Sequence, residues 1–231
     1  RQSRRTYLDE PISENHLQQL DTYIDKVNKI SGLSIQFINN NKEAFKGLNP
    51  AYGMFSGVQN YFALIGKQSD ANLKEKAGYY GEQLVLEATK LGLGTCWVGA
   101  TFNKNNCSCV IHEDDSFVCI ITVGNVTDKR GLKENIIYRT VHRSTKKIEE
   151  MYEAATPVPE WFLNGMKAVQ KAPSAVNKQP VTFRVEGEKV TAEVKDIHSY
   201  LAIDLGIAKA HFEIGAGGKF SLGNGAEFIK E

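Results

Sequence analysis

The sequence predicts a mixed α+β protein, and three observations carry that prediction. Residues 13 to 30 repeat apolar side chains at helical spacing. Two runs, Tyr61 to Ile65 and Val118 to Val123, are apolar on both faces, as strands buried between layers are. A third pattern, Val181 to Val185 followed by Val190 to Val194, alternates on either side of a Glu186-Gly187 turn and reads as a hairpin. Composition agrees: 231 residues, 42% of them hydrophobic, suit one or two globular domains. With 28 Lys plus Arg against 27 Asp plus Glu, the net charge is +1, so no positive field draws the chain to nucleic acid or an acidic membrane. Small molecules are the expected partners. The longest apolar stretches fall far short of the ~20 residues that span a bilayer, and nothing within the sequence, which starts at Arg1 rather than Met, reads as a signal peptide. The cytoplasm is the expected compartment.

In chain order, Ser13 stands as N-cap before Leu17, Leu20, Ile24, Val27 and Ile30, with Ile12 placed to staple onto Leu17 and Ser31-Gly32 as the stop. Ile35 to Ile38 follow as a strand with one wet face. The polar stretch from Asn39 to Gly57 reads as loop with one turn of helix. After the first buried strand, Ala77, Tyr80, Gly81, Leu84, Val85, Ala88 and Leu91 line one face of a core helix, which Gly92 and Gly94 close. Residues 125 to 158 are charged, lack periodicity and end in Thr156-Pro157-Val158-Pro159, a linker signature. Beyond it Trp161, Phe162, Met166 and Val169 form a helix, the hairpin follows, and a last helix runs from Leu205 to Ile214. Helix, strand, loop and glycine-containing helix thus occur on both sides of the linker, which predicts two pseudo-repeats, residues 1–150 and 151–231.

Cys96, Cys107, Cys109 and Cys119 allow two disulfides, a metal site or four core thiols. Free thiols are commonly buried, and Cys96 beside Trp97 and Cys119 inside an apolar run have core settings. Cys107 and Cys109 are separated by one residue rather than the two to four of a zinc knuckle, and the five histidines are scattered. No metal is expected.

Three segments carry chemistry. Arg1-Gln2-Ser3-Arg4-Arg5, if extended, throws Arg1, Ser3 and Arg5 to one side, where two guanidinium groups and a hydroxyl suit a phosphate; a solvated basic terminus is the alternative. Lys129-Arg130 lies just past the second buried strand, where α/β sheets commonly seat ligands, though a charged loop is the simpler reading. Between a helix and a strand, Ala172-Pro173-Ser174-Ala175-Val176-Asn177-Lys178-Gln179-Pro180 offers two prolines and several hydrogen-bonding side chains. Such a loop serves either a polar heterocycle or a capped connection.

These residues together resemble a known family. The Arg-x-Ser-x-Arg start, the segment 172–180 and Leu91-Gly-Leu-Gly-Thr-Cys-Trp-Val-Gly99 are similar to motifs of the FMN-dependent nitroreductases. The order, with Pro-Ser-x-x-Asn in the second half, resembles a tandem-repeat branch in which two halves of one chain stand for two subunits and the flavin lies at their interface. The resemblance implies an α+β nitroreductase-like fold. It also implies FMN held by Arg1, Ser3 and Arg5, by Lys129 and Arg130, by the backbone at Val98 and Gly99 near flavin N5, and by Pro173, Ser174, Asn177 and Gln179. Gly53 and Met54 would line the pyrimidine side. A fainter basic stretch, 143–147, lacks the Arg-x-Ser-x-Arg spacing, so one flavin per chain is expected.

The activity so implied is two-electron transfer: NAD(P)H gives hydride to FMN, and a nitroaromatic, quinone or similar electrophile takes the electrons from the same face. Gly92, Gly94 and Gly99 suggest that this face is open. No protein side chain stands out as catalytic. A rival reading is a flavin-binding protein that does no turnover and serves storage or redox sensing; a nucleic-acid module is disfavoured by the balanced charge. A monomer or a homodimer is equally compatible with the sequence.

Overall fold

The computed structural model describes residues 1–45, 54–99, 102–141 and 144–231, so Gly53 and Arg143 lie outside them. Within the described residues the chain forms two compact units, residues 1–73 with 83–140 and residues 74–82 with 141–231.

The first unit opens with an extended segment and continues into α1 (Glu14–Ser31), whose Ser13 hydroxyl accepts from the His16 N–H at 3.3 Å. Gly32, at φ 72°, ends it in the left-handed conformation that glycine tolerates without cost. β1 (Gln36–Ile38), β2 (Asn60–Lys67), β3 (Gly94–Val98) and β4 (Asp115–Gly124) form an antiparallel sheet ordered β1-β2-β4-β3. The two apolar runs are its central neighbours β2 and β4, and Tyr61 to Ile65 are fully buried. One face of the sheet packs Ile38, Ala63, Ile65, Val98, Phe102 and Ile120 into a common core. The 39–57 stretch holds a single 3-10 turn, Glu43–Phe45, among its described residues.

α2 (Leu73–Lys90) is shared: residues 74–82 belong to the second unit and 83–90 to the first. Gly92, at φ 78°, turns the chain after it, but Gly94 does not close this helix; it is the first residue of β3. A second departure from the sequence reading lies in the expected linker, which contains α3 (Leu132–Val141) and the short strand β5 (Tyr152–Ala154). Leu132 and Ile136 of α3 are exposed while its charged Glu134 is buried, inverting the usual helix pattern, so periodicity fails as a signal there.

In the second unit, β5, β6 (Thr182–Glu186), β7 (Lys189–Glu193), β9 (Glu227–Lys230) and β8 (Gly218–Phe220) lie in that order, with β5 parallel to β6 and every other pair antiparallel. Gly187, at φ 63°, makes the β6–β7 turn. α4 (Glu160–Gln170) and α5 (Leu201–Ala216) pack together through Phe162, Met166, Leu205 and Phe212. The Phe183 ring stacks on Phe212 at 5.0 Å. α5 begins four residues before the predicted Leu205 and is buried nearly all round, including Asp204, Lys209, His211 and Glu213. Lys209 donates to Glu75 Oε1 at 2.6 Å and to the carbonyls of Ser221 and Gly223. His211 Nε2 lies 2.9 Å from Glu82 Oε1. No described helix is long and apolar enough to cross a membrane.

Candidate functional site

In the first unit the opening segment runs extended and is held by two isolated bridges. Ser3 pairs with Thr95 of β3 and Thr6 with Ser56, both in parallel, and the Arg4 N–H donates to the Thr95 carbonyl at 2.8 Å. Extended backbone puts Arg4 on the opposite side from Arg1, Ser3 and Arg5. Arg4 is buried and the other three are half-buried, with Arg1 Nη1 donating to Ser3 Oγ at 3.3 Å. Arg5 Nε is buried and has no hydrogen-bond partner among the described residues. Cys96 lies next to this trio. Burial pushes its thiol above the usual range, while the Arg5 and Arg1 guanidinium groups and the Ser3 hydroxyl pull it the other way. Tyr7 locks the segment down: its hydroxyl donates to the Arg4 carbonyl at 2.8 Å and lies 2.6 Å from Thr122 Oγ1.

The inward-facing Arg4, which the sequence reading gave no role, meets Glu134 of α3. Arg4 Nε lies 3.3 Å from both carboxylate oxygens, and Oε1 also accepts the backbone N–H groups of Arg5 and Thr6. Burial pushes the Glu134 carboxyl up, but the Arg5 N–H, the Arg4 guanidinium and the Thr6 N–H together outweigh it and hold the group below its ordinary range. Arg4 Nη1 donates to the Thr127 carbonyl at 2.7 Å, and Thr127 Oγ1 donates to the Lys129 carbonyl at 2.8 Å. The Arg4 side chain therefore ties the loop carrying Lys129 and Arg130 to the segment carrying Arg1, Ser3 and Arg5. Lys129 is exposed; the Arg130 guanidinium sits over the Tyr138 ring at 4.0 Å.

Val98 is buried at the end of β3, and Gly99 follows it at a bend. The open edge expected from the glycines is not made by Gly94, because a Cβ there would strike Val126 and the Arg4 Cβ; Gly94 lets Arg4 pack. Met54 is half-buried in a turn.

The predicted loop of the second unit is built on left-handed backbone. Ala175–Asn177 form one 3-10 turn, and Val176, Asn177 and Gln179 have φ of 46°, 52° and 45°. Non-glycine residues adopt this region only where surroundings fix them. Here Ser174 Oγ accepts the Gln179 N–H at 2.9 Å, and Asp204 of α5 accepts the Ala175 N–H at 3.1 Å. Gln179, expected to contact a ligand, is buried. Its amide oxygen accepts the Lys146 N–H at 2.8 Å and its amide nitrogen donates to the Gln170 carbonyl at 3.3 Å, so the side chain is engaged in holding the loop. Pro173, Ser174 and Asn177 are half-buried. The four thiols are free, and among the described residues no three His, Cys, Asp or Glu side chains are grouped to hold a metal.

The family model described as "Putative TM nitroreductase" matches residues 1–216, and the chain belongs to that family. In structure it is similar to a "putative nitroreductase" from Thermotoga maritima, with a TM-score of 0.61 and 19% identity over 99% of this chain and 88% of that one. A nitroreductase family protein from Clostridium difficile gives 0.47 and 17% identity, covering 68% of this chain and 95% of its own. An FMN-dependent nitroreductase from the same organism gives 0.44 and 17%, covering 62% and 94%. No curated protein sequence matches the chain.

Proposed function

We propose that the chain is a flavin-dependent oxidoreductase that passes hydride from NAD(P)H through FMN to a nitroaromatic, quinone or similar electrophile. The observation that carries the reading is the buried Arg5 Nε without an acceptor. A guanidinium edge kept from water and left unpaired costs free energy unless an anion meets it, and it lies in a segment with Arg1 and Ser3 that is tied to the Lys129-Arg130 loop. That donor set fits the phosphate of FMN.

In this reading Arg1, Ser3, Arg5, Lys129 and Arg130 hold the phosphate. Val98 and Gly99 supply low-bulk backbone at the end of β3, Pro173, Ser174 and Asn177 present the loop, and Gln179 sets its shape. When bound, FMN supplies the chemistry of accepting hydride and releasing two electrons. The chain's own share is to bind, to orient and to place positive charge, with solvent supplying protons. Residues 1–150 carry the phosphate anchor and 151–231 the second loop, as tandem halves. The compartment is the cytoplasm, and the assembly a monomer or homodimer without nucleic-acid or membrane partners.

Calorimetry with FMN and riboflavin tests the reading. Charged hydrogen bonds contribute roughly 1.5 to 3 kcal/mol each, so Arg5→Ala is expected to weaken FMN about 10- to 100-fold and riboflavin little. Equal affinity of the native protein for the two flavins overturns it. Stopped-flow mixing of the FMN-loaded protein with NADH or NADPH then reads turnover: prompt bleaching supports the oxidoreductase, and none with either nicotinamide favours flavin storage or sensing.

A further inference from the structure

We infer that Glu134 is the positioning residue of the phosphate anchor, the group that gives the site its preference for a phosphorylated flavin; this rests on the reading just proposed. Glu134 reaches no ligand itself. It is 2% exposed, and its carboxylate is occupied on every side by the segment it holds: the backbone N–H groups of Arg5 and Thr6 on Oε1, and the Arg4 guanidinium across both oxygens. A buried carboxylate is stable only where donors of this number and charge surround it.

Two consequences follow for the cations. By capturing the N–H groups of Arg5 and Thr6, Glu134 fixes the backbone that aims Arg5, and with it Ser3 and Arg1 two and four residues earlier. By fixing Arg4, it fixes the Arg4 contact to Thr127, and through Thr127 the carbonyl of Lys129. Asn135, the neighbour of Glu134 on α3, adds a second hold by donating to the Arg130 carbonyl at 3.2 Å. One carboxylate thus sets the spacing of two cationic segments that lie more than a hundred residues apart in sequence. It also neutralises Arg4, so the Arg4 charge is satisfied inside the fold and the anion meets the remaining cations.

The test is the ratio of FMN to riboflavin affinity, measured by calorimetry or by quenching of flavin fluorescence, in the native protein, Glu134→Ala, Glu134→Gln and the double variant Arg4→Met/Glu134→Gln. Glu134→Ala removes both holds and is expected to lower FMN affinity at least tenfold with riboflavin changed less than threefold. Glu134→Gln keeps an oxygen for the two N–H groups but loses the ion pair, and is expected to fall between native and Ala. The double variant removes the buried charge altogether, so no unpaired Arg4 is left to destabilise the fold; it also removes the Arg4 contact to Thr127, and it is expected to show a ratio reduced at least as far as that of Glu134→Gln. Thermal unfolding of each variant identifies temperatures at which the protein is folded, and affinities are compared only there. A native-like ratio in folded variants, or equal losses for both flavins, overturns the positioning role while leaving the proposed function intact. A native protein that does not prefer FMN overturns both.

Discussion

A buried Asp204 fixes the backbone of the 173–179 loop, and its protonation has a measurable sign. Burial raises its carboxyl to about 6, with the Ala175 N–H and the nearby Lys178 acting in the opposite direction. Unfolded, an Asp titrates near 4. Between about pH 4 and 6 the native state therefore binds more protons than the unfolded state, and this group's contribution to stability falls as pH rises through that window, levelling off above it. Asp204→Asn keeps an oxygen for Ala175 and cannot ionise. Melting temperatures of the native protein and the Asp204→Asn variant, compared from pH 4 to 7, are expected to diverge in favour of the variant as pH rises; parallel curves would show that Asp204 does not titrate there. The residues of the site were unequally legible. Arg1, Ser3 and Arg5 share a face because they alternate, which any extended segment guarantees. Glu134 and Asp204 were invisible, since the first pairs with a segment about 130 positions away and the second directly follows the apolar run Leu201-Ala202-Ile203 with nothing local to mark its partner.

Helix contacts in the second unit depend on glycines at crossing points. A Cβ on Gly206 of α5 would collide with the Glu75 carbonyl and the Tyr79 amide, and one on Gly78 of α2 with the Ile203 carbonyl. Backbone atoms cannot swing aside as a flexible side chain does, so overpacking here costs about 1 to 3 kcal/mol or more, against the ~1 kcal/mol that alanine gains over glycine in a helix. Urea denaturation is expected to show Gly206→Ala clearly destabilised and Gly131→Ala, whose Cβ would meet open space, within about 0.5 kcal/mol of native. Loss of stability in neither variant would refute the close crossing. Elements with strong periodicity, α1, α2, β2, β4, α4 and the β6–β7 hairpin, could be read from the sequence. β3 was hidden inside a glycine-rich motif, and β8 and β9 are short and set among Gly217, Gly218, Gly223 and Gly225. α3 keeps its charge inside and its leucine outside.

Residues 74–82 give the molecule a dependence that no single cut of the chain respects. Lys209 relies on Glu75, His211 on Glu82, and Glu213 accepts from the Tyr79 hydroxyl at 2.5 Å. Breaking one buried pair by removing a partner costs about 3 to 5 kcal/mol, a large part of the roughly 5 to 15 kcal/mol that holds a domain folded. Residues 141–231 expressed alone are therefore expected to give no cooperative thermal transition by circular dichroism, and a sharp one would show that 74–82 are dispensable. The fold class was accessible at this scale because it needs only the mixture of helical and strand patterns. The sharing of α2 was not, because helical spacing looks the same whichever core it feeds. The first unit carries a different dependence. β3 is the outer strand of its sheet, and among the described residues the chain's opening segment, through Ser3 and Arg4 on Thr95, covers its free side. An uncovered sheet margin is a template for strands of other molecules, so the basic segment that gathers the proposed phosphate ligands also acts as a guard against aggregation, and weakening its hold would diminish ligand binding and colloidal solubility together.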